Sequence, residues 1–255
     1  MKSILLKKLA GKGYDEYGWK NHDDWADAIY AEMTTDFACR LGGEDCRKRA
    51  QKEFSTFVNR CQHSRTGTGS CNHVHPNYRR QLYCWGIYSN SDKPDYFNIV
   101  KKLYEWSATY SRYFYRDTDN LMNALSCSKD DNLVSNLIAD TVRGVYPAVM
   151  LRHVAENDES GDRLWNFFTN HTTLVLTGAT DFRGYIKAAI SGWNTMSSLR
   201  RVTTFVKDPK VHLHADEQSV IDKYVAVISS NVKWYSDNKS TLEKWLAQEK
   251  ASSFT

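Results

Sequence analysis

Proline is scarce in this chain, four in 255 residues, and no stretch approaches the ~20 apolar residues that would cross a bilayer. Scarce proline suits long helices, because an interior proline removes a backbone hydrogen bond and clashes with the preceding turn. No dense run of one charge is present either. Lysine and arginine number 34 against 30 acidic residues, a net +4, which offers no electrostatic footprint for nucleic acid. The opening Met1-Lys2-Ser3-Ile4-Leu5-Leu6 is too short an apolar region for an export signal, and Lys7 and Lys8 follow at once.

Catalytic signatures are missing as well. None of the eight histidines (His22, His63, His73, His75, His153, His171, His212, His214) is followed by glutamate, so no HExxH zinc helix exists. Gly-x-Ser-x-Gly, a glycine-rich phosphate loop and CxxC are absent too. The best metal-like cluster is His212-x-His214 followed by Asp216 and Glu217, in an expected loop beside Pro209. His73-x-His75 near Cys71 is the other, and a loop ahead of a Pro-Asn helix start accounts for it without a metal.

What the sequence does have is six cysteines, all in its first half. An even set in an otherwise ordinary globular sequence points to an oxidising, extracellular or secretory-lumen setting. Spacing suggests Cys39 with Cys46 around Gly42-Gly43, Cys61 with Cys71 around Gly67-Thr68-Gly69, and Cys84 with Cys127. Six cysteines allow about 15 pairings, so spacing alone leaves connectivity open. Disulfide-type cysteines without an export signal suggest a piece of something larger.

Helical periodicity dominates the rest. Ile221, Tyr224, Val225, Ile228, Val232 and Tyr235 line one face of an expected helix from about Glu217 to Tyr235, with Asp216 as its N-cap. A turn through Ser236, Asp237 and Asn238 then leads to a short closing helix with Leu242, Trp245 and Leu246. Pro94 sits at a first helical position, with Phe97, Val100, Tyr104 and Ala108 continuing that face. Leu121 with Leu125, and Leu133 with Leu137 and Ile138, read as two short helices. Thr172 to Thr177 is the only strand-like run and is equally compatible with helix. Loops are expected at 67–72, 157–161 and 207–216. The fold class is all-α, a superhelical stack of short antiparallel helices of the armadillo or HEAT kind, stapled by disulfides, over a single domain 1–255.

Five phrases in order carry a resemblance. They are Ala38-Cys39 with Cys46; Pro76-Asn77-Tyr78-Arg79 through Tyr83-Cys84; Leu121 through Asp130 (LMNALSCSKD); Leu164-Trp165-Asn166-Phe167-Phe168 with Asn170; and Asn231-Val232-Lys233-Trp234 with Asn238 and Trp245. Together they resemble the C-terminal helical domain of the gluzincin zinc aminopeptidases, the aminopeptidase N and endoplasmic-reticulum aminopeptidase type. The resemblance supports the first and third disulfides, whereas Cys61–Cys71 is not a general feature of that family. His171 departs from the family's tryptophan.

The resemblance implies a non-catalytic domain that caps the active-site chamber of a zinc aminopeptidase, limits peptide access and supports domain or dimer contacts. Zinc would belong to the parent's catalytic domain and no cofactor to this chain. Expected partners are that catalytic domain, peptide substrates and a second copy, with no nucleic acid and no direct membrane insertion. The parent would be secreted or type II membrane-anchored. Of Arg112, Arg116, Arg143, Arg152, Arg200 and Arg201, near expected helix ends, Arg116, Arg143 and Arg152 are the candidates to meet a peptide carboxylate. Two sequons, at Asn170 and Asn238, are glycosylation candidates in such a setting. The rival reading is a stand-alone secreted helical module that binds peptide or protein.

Overall fold

The computed structural model describes residues 11–110 and 115–251, with side chains over 11–109 and 117–248. Among the described residues there is no strand, and thirteen α-helices are joined by short loops. The chain divides into two compact units, Met1–Asp130 and Asp131–Thr255.

In the first unit, α1 (Lys12–Tyr17), α2 (Trp25–Arg40), α3 (Glu44–Cys61), α4 (Arg79–Ser89), α5 (Pro94–Tyr110) and α6 (Tyr115–Ser126) follow in order, with a 3₁₀ turn at Pro76–Tyr78. Helix α2 starts where the Asp24 carboxylate accepts from the amides of Ala26 and Asp27, at 2.8 and 3.1 Å. That satisfies two of the donors a helix start leaves open. It ends at the tight Gly42-Gly43 turn, where Gly42 has φ +95°.

Helices α3 and α4 pack closely because of Gly86. A Cβ there would fall 2.3 Å from the Cβ of Phe54, so only glycine lets the two backbones approach. The core continues through Phe57, stacked on Tyr83 with ring centroids 4.5 Å apart, to Leu103, Leu121 and Leu125. Helix α5 opens at Pro94 as its pattern predicts. Its buried face runs Phe97, Val100, Leu103, Tyr104 and Ser107, however, and Ala108 is exposed.

The second unit holds α7 (Asp131–Val142), α8 (Val149–Asn157), α9 (Arg163–Asn170), α10 (Thr172–Gly178), α11 (Phe182–Ile190), α12 (Met196–Lys207) and α13 (Ala215–Ala251). Its core is aromatic. Trp165 meets Trp193 and Phe205 edge-on at 5.7 and 5.3 Å, and Phe168 lies 5.1 Å from Phe205. Tyr185, fully buried, donates to the carbonyl of Leu164 at 2.8 Å. Burial pushes its hydroxyl far above the ordinary tyrosine range. Asn231 ties α13 to the end of α11 by donating to the carbonyls of Ser191 and Trp193, at 3.2 and 2.9 Å.

Two local expectations change here, and one that the sequence leaves open is settled. Residues Thr172 to Thr177 are helix α10, in which only Val175 is buried. The Thr172 hydroxyl bonds back to the Phe168 carbonyl at 3.0 Å, continuing the preceding turn instead of opening a strand. Helix α13 begins at Ala215, so Asp216 lies in its first turn and is not the cap. Glu217 reaches back to accept from the His214 amide at 2.7 Å, half of a capping box. The turn at Ser236–Asn238 and the separate closing helix are absent, because α13 runs unbroken through both. Within it, Lys233 pairs with Asp237 at 3.0 Å, and the Asn238 amide donates to the Trp234 carbonyl at 2.8 Å. Polar residues that favour turns in isolation are here absorbed into one-turn contacts on a helix lacking glycine and proline.

Candidate functional site

All three bridges lie in the first unit, joining Cys39 to Cys46, Cys61 to Cys71 and Cys84 to Cys127. The first crosses the α2–α3 turn. The third links the middle of α4 to the end of α6. The second closes a loop that a buried polar cluster also holds. Asp117 on α6 is 2% exposed and receives the Thr68 hydroxyl, the Asn72 amide at 3.4 Å and the Tyr83 hydroxyl at 3.3 Å. Arg79, from the Pro-Asn-Tyr-Arg phrase, pairs with it at 3.4 Å. Loss of water pushes the Asp117 carboxyl above its ordinary range, with Arg79 opposing, and burial also raises the Tyr83 hydroxyl well above its own. Such a cluster orders a loop and has no open position for a substrate.

The histidines do not converge. Among the described residues no group of three His, Cys, Asp or Glu side chains is placed to hold a metal ion. His212 and His214 are exposed in the loop before α13. His75 caps the 3₁₀ turn by accepting from the Asn77 amide at 3.4 Å, and His73 reaches Glu53 at 3.4 Å. The residues present therefore do not fit the zinc site of an aminopeptidase, which needs three protein ligands around one ion.

The expected arginines are scattered. Arg143, just beyond α7, pairs with Asp140 at 3.7 Å, and Arg152 on α8 with Glu156 at 3.8 Å. Both remain more than half exposed. Arg112 and the side chain of Arg116 lie outside the described residues. Arg201 is held by Asp162 and Asn166, at 2.7 and 2.9 Å, over the Trp193 ring. Asn170 is exposed at the end of α9, while Asn238 is half-buried within α13.

A further surface feature lies on α2. Ala31, Ala38 and Cys39 face the core, yet Trp25, Ile29, Met33 and Phe37, each one turn apart, stand on the opposite side with Tyr30. Trp25 is 77% exposed and Met33 53%. A helix apolar on both sides is one built to be covered on both sides. The four-residue spacing was visible in the sequence, but the buried small residues gave no contrast against which to read it.

Among the described residues these features define a disulfide-stapled, all-helical domain with an exposed apolar stripe on α2. The chain matches the model of the ERAP1-like C-terminal domain over residues 2–225, and it belongs to that family. It is 28% identical over 240 residues to putative aminopeptidase-2 of Caenorhabditis elegans, covering 94% of this chain and 13% of the relative. Thyrotropin-releasing hormone-degrading ectoenzyme of Rattus norvegicus is 23% identical over 261 residues, covering 96% of this chain and 22% of that protein. Aminopeptidase N of Homo sapiens is 19% identical over 224 residues, covering 83% and 21%. The chain thus spans between 13% and 22% of the length of these relatives. It is a C-terminal domain related to the gluzincin aminopeptidases; its sequence contains no HExxH, and among the described residues no side-chain cluster is placed to hold a metal ion.

Proposed function

We propose that this chain caps the active-site chamber of a larger extracellular or lumenal zinc aminopeptidase, docks on the rest of that protein and shapes peptide access. The observation that carries the reading is the family match across 2–225 in a chain spanning a small fraction of its relatives. The exposed apolar face of α2 supports it, because burying Trp25, Met33 and Phe37 against another domain would remove from water a surface that a free module leaves open. Six bridged cysteines support the oxidising setting. Among the described residues no helix is long and apolar enough to cross a membrane.

We read the helices within each unit as a stack of short antiparallel helices of the armadillo or HEAT kind. Consecutive helices packing as neighbours, α3 with α4 and α5 with α6, support this. In the same reading Arg143 and Arg152 present cations to the peptide's far end, and Asn170 carries a glycan. Zinc and the water it activates belong to the parent's catalytic domain.

The test is to isolate the native protein with an antibody against this chain. A species several times the chain's 29.4 kDa, with chelator-sensitive aminopeptidase activity, is expected. A native species of 29.4 kDa without that activity overturns the reading in favour of a stand-alone binding module.

A further inference from the structure

The distal part of α13 carries a second apolar stripe with a modification signal at its centre. Trp234 is 60% exposed, Tyr235 41%, Leu242 37% and Trp245 46%. On a helix, positions 234, 238, 242 and 245 share one face, so Asn238 of the Asn238-Lys239-Ser240 sequon sits between the two tryptophans. Charged pairs flank the stripe, Lys233 with Asp237 and Lys239 with Glu243, at 3.0 and 3.8 Å.

We propose that the occupant of this stripe is an N-linked glycan on Asn238, its first sugars lying over Trp234. The inference rests on the lumenal setting proposed above. Helix side chains lean toward the N-terminus, so a group carried by the Asn238 amide is delivered onto the turn that holds Trp234. The amide already donates one N–H to the Trp234 carbonyl at 2.8 Å. Glycosylation replaces only one of its two N–H hydrogens, leaving the other to keep this bond and orient the linkage. In the transfer, a bond forms between the amide nitrogen and the sugar's anomeric carbon. The bond from that carbon to a lipid diphosphate breaks, and the displaced proton leaves to base. A pyranose offers an apolar C–H face to an indole while its hydroxyls stay in water. It can therefore cover exposed tryptophan without burying an unpaired polar group.

The test imposes the location, so its failure is separable from that of the lumenal reading. The 255-residue chain is secreted behind a cleavable signal from a glycosylating eukaryotic host. Site-resolved mass mapping is followed by oxidative footprinting of the tryptophans. A glycan on Asn238 is expected, with Trp234 oxidised severalfold more slowly, and Trp245 less affected, than in N238Q and in S240A, which keeps the amide but destroys the sequon. Helical circular dichroism of both variants controls for folding. An empty Asn238, whether or not Asn170 is filled, overturns the proposal. So does a filled Asn238 with footprints equal to those of the two variants. Equal protection of both tryptophans in the variants overturns it too, in favour of a protein covering the stripe.

Discussion

Asp117 shows how one buried residue organises a loop the sequence left shapeless. Its carboxylate gathers Thr68, Asn72, Arg79 and Tyr83, all within residues 68–83 and distant in sequence from Asp117 itself. Because burial raises its folded pKa above the unfolded value near 3.8, its own contribution favours folding most below that value. The contribution is lost as pH rises through the folded pKa. Relative to Asp117→Asn, the wild type should therefore lose stability as pH climbs from about 3 through the window above 3.8, as read by denaturant unfolding at each pH. A difference that is flat with pH, or grows in the opposite sense, would refute the direction given. Gly86 supplies the steric counterpart. Gly86→Ala should cost about 1–3 kcal/mol, because the added methyl meets Phe54 and forces α3 from α4.

At the scale of elements, the bridges differ in what they restrain. Cys84–Cys127 closes a separation of 43 residues and Cys39–Cys46 one of 7. The loop-entropy model assigns about 4 kcal/mol to the long bridge and about 2.5 kcal/mol to the short one. Replacing each pair by alanines should reproduce that order in thermal or denaturant unfolding. Equal losses would mean that strain or residual denatured structure outweighs loop length. Helix α13 makes a different point. Its turn-forming Ser236-Asp237-Asn238 run is held helical by contacts one turn away, so Asp237→Pro should remove helical signal by circular dichroism.

For the whole molecule, the placement of the cysteines predicts asymmetric behaviour. All six lie in residues 1–130, and the second unit has none. Under a reductant that opens the bridges, hydrogen exchange should quicken in α3 and α4 and leave α9 and α11 largely unchanged. Uniform acceleration would show that the two units unfold as one. The purified chain should also hydrolyse no aminoacyl substrate, with or without added zinc, since its sequence contains no HExxH zinc helix. Chelator-sensitive turnover lost on changing His212 and His214 to alanine would contradict this.

The sequence by itself determined the helical class, the family and the absence of a zinc helix. Periodic apolar residues such as Ile221, Tyr224 and Ile228 mark a buried face locally, and motifs in order are a property of the chain. It also pointed to the three cysteine pairs, although spacing could not choose among alternatives. Tertiary structure alone decided that Thr172 to Gly178 is helix, that α13 passes through its turn-like residues, and that Ser107 faces inward and Ala108 outward. It alone revealed the Asp117 cluster, because a carboxylate's partners across 49 residues leave no periodic trace. The exposed stripe of α2 was written at four-residue spacing all along. Reading it required knowing which side of the helix the core had taken, and that is set by what packs against it.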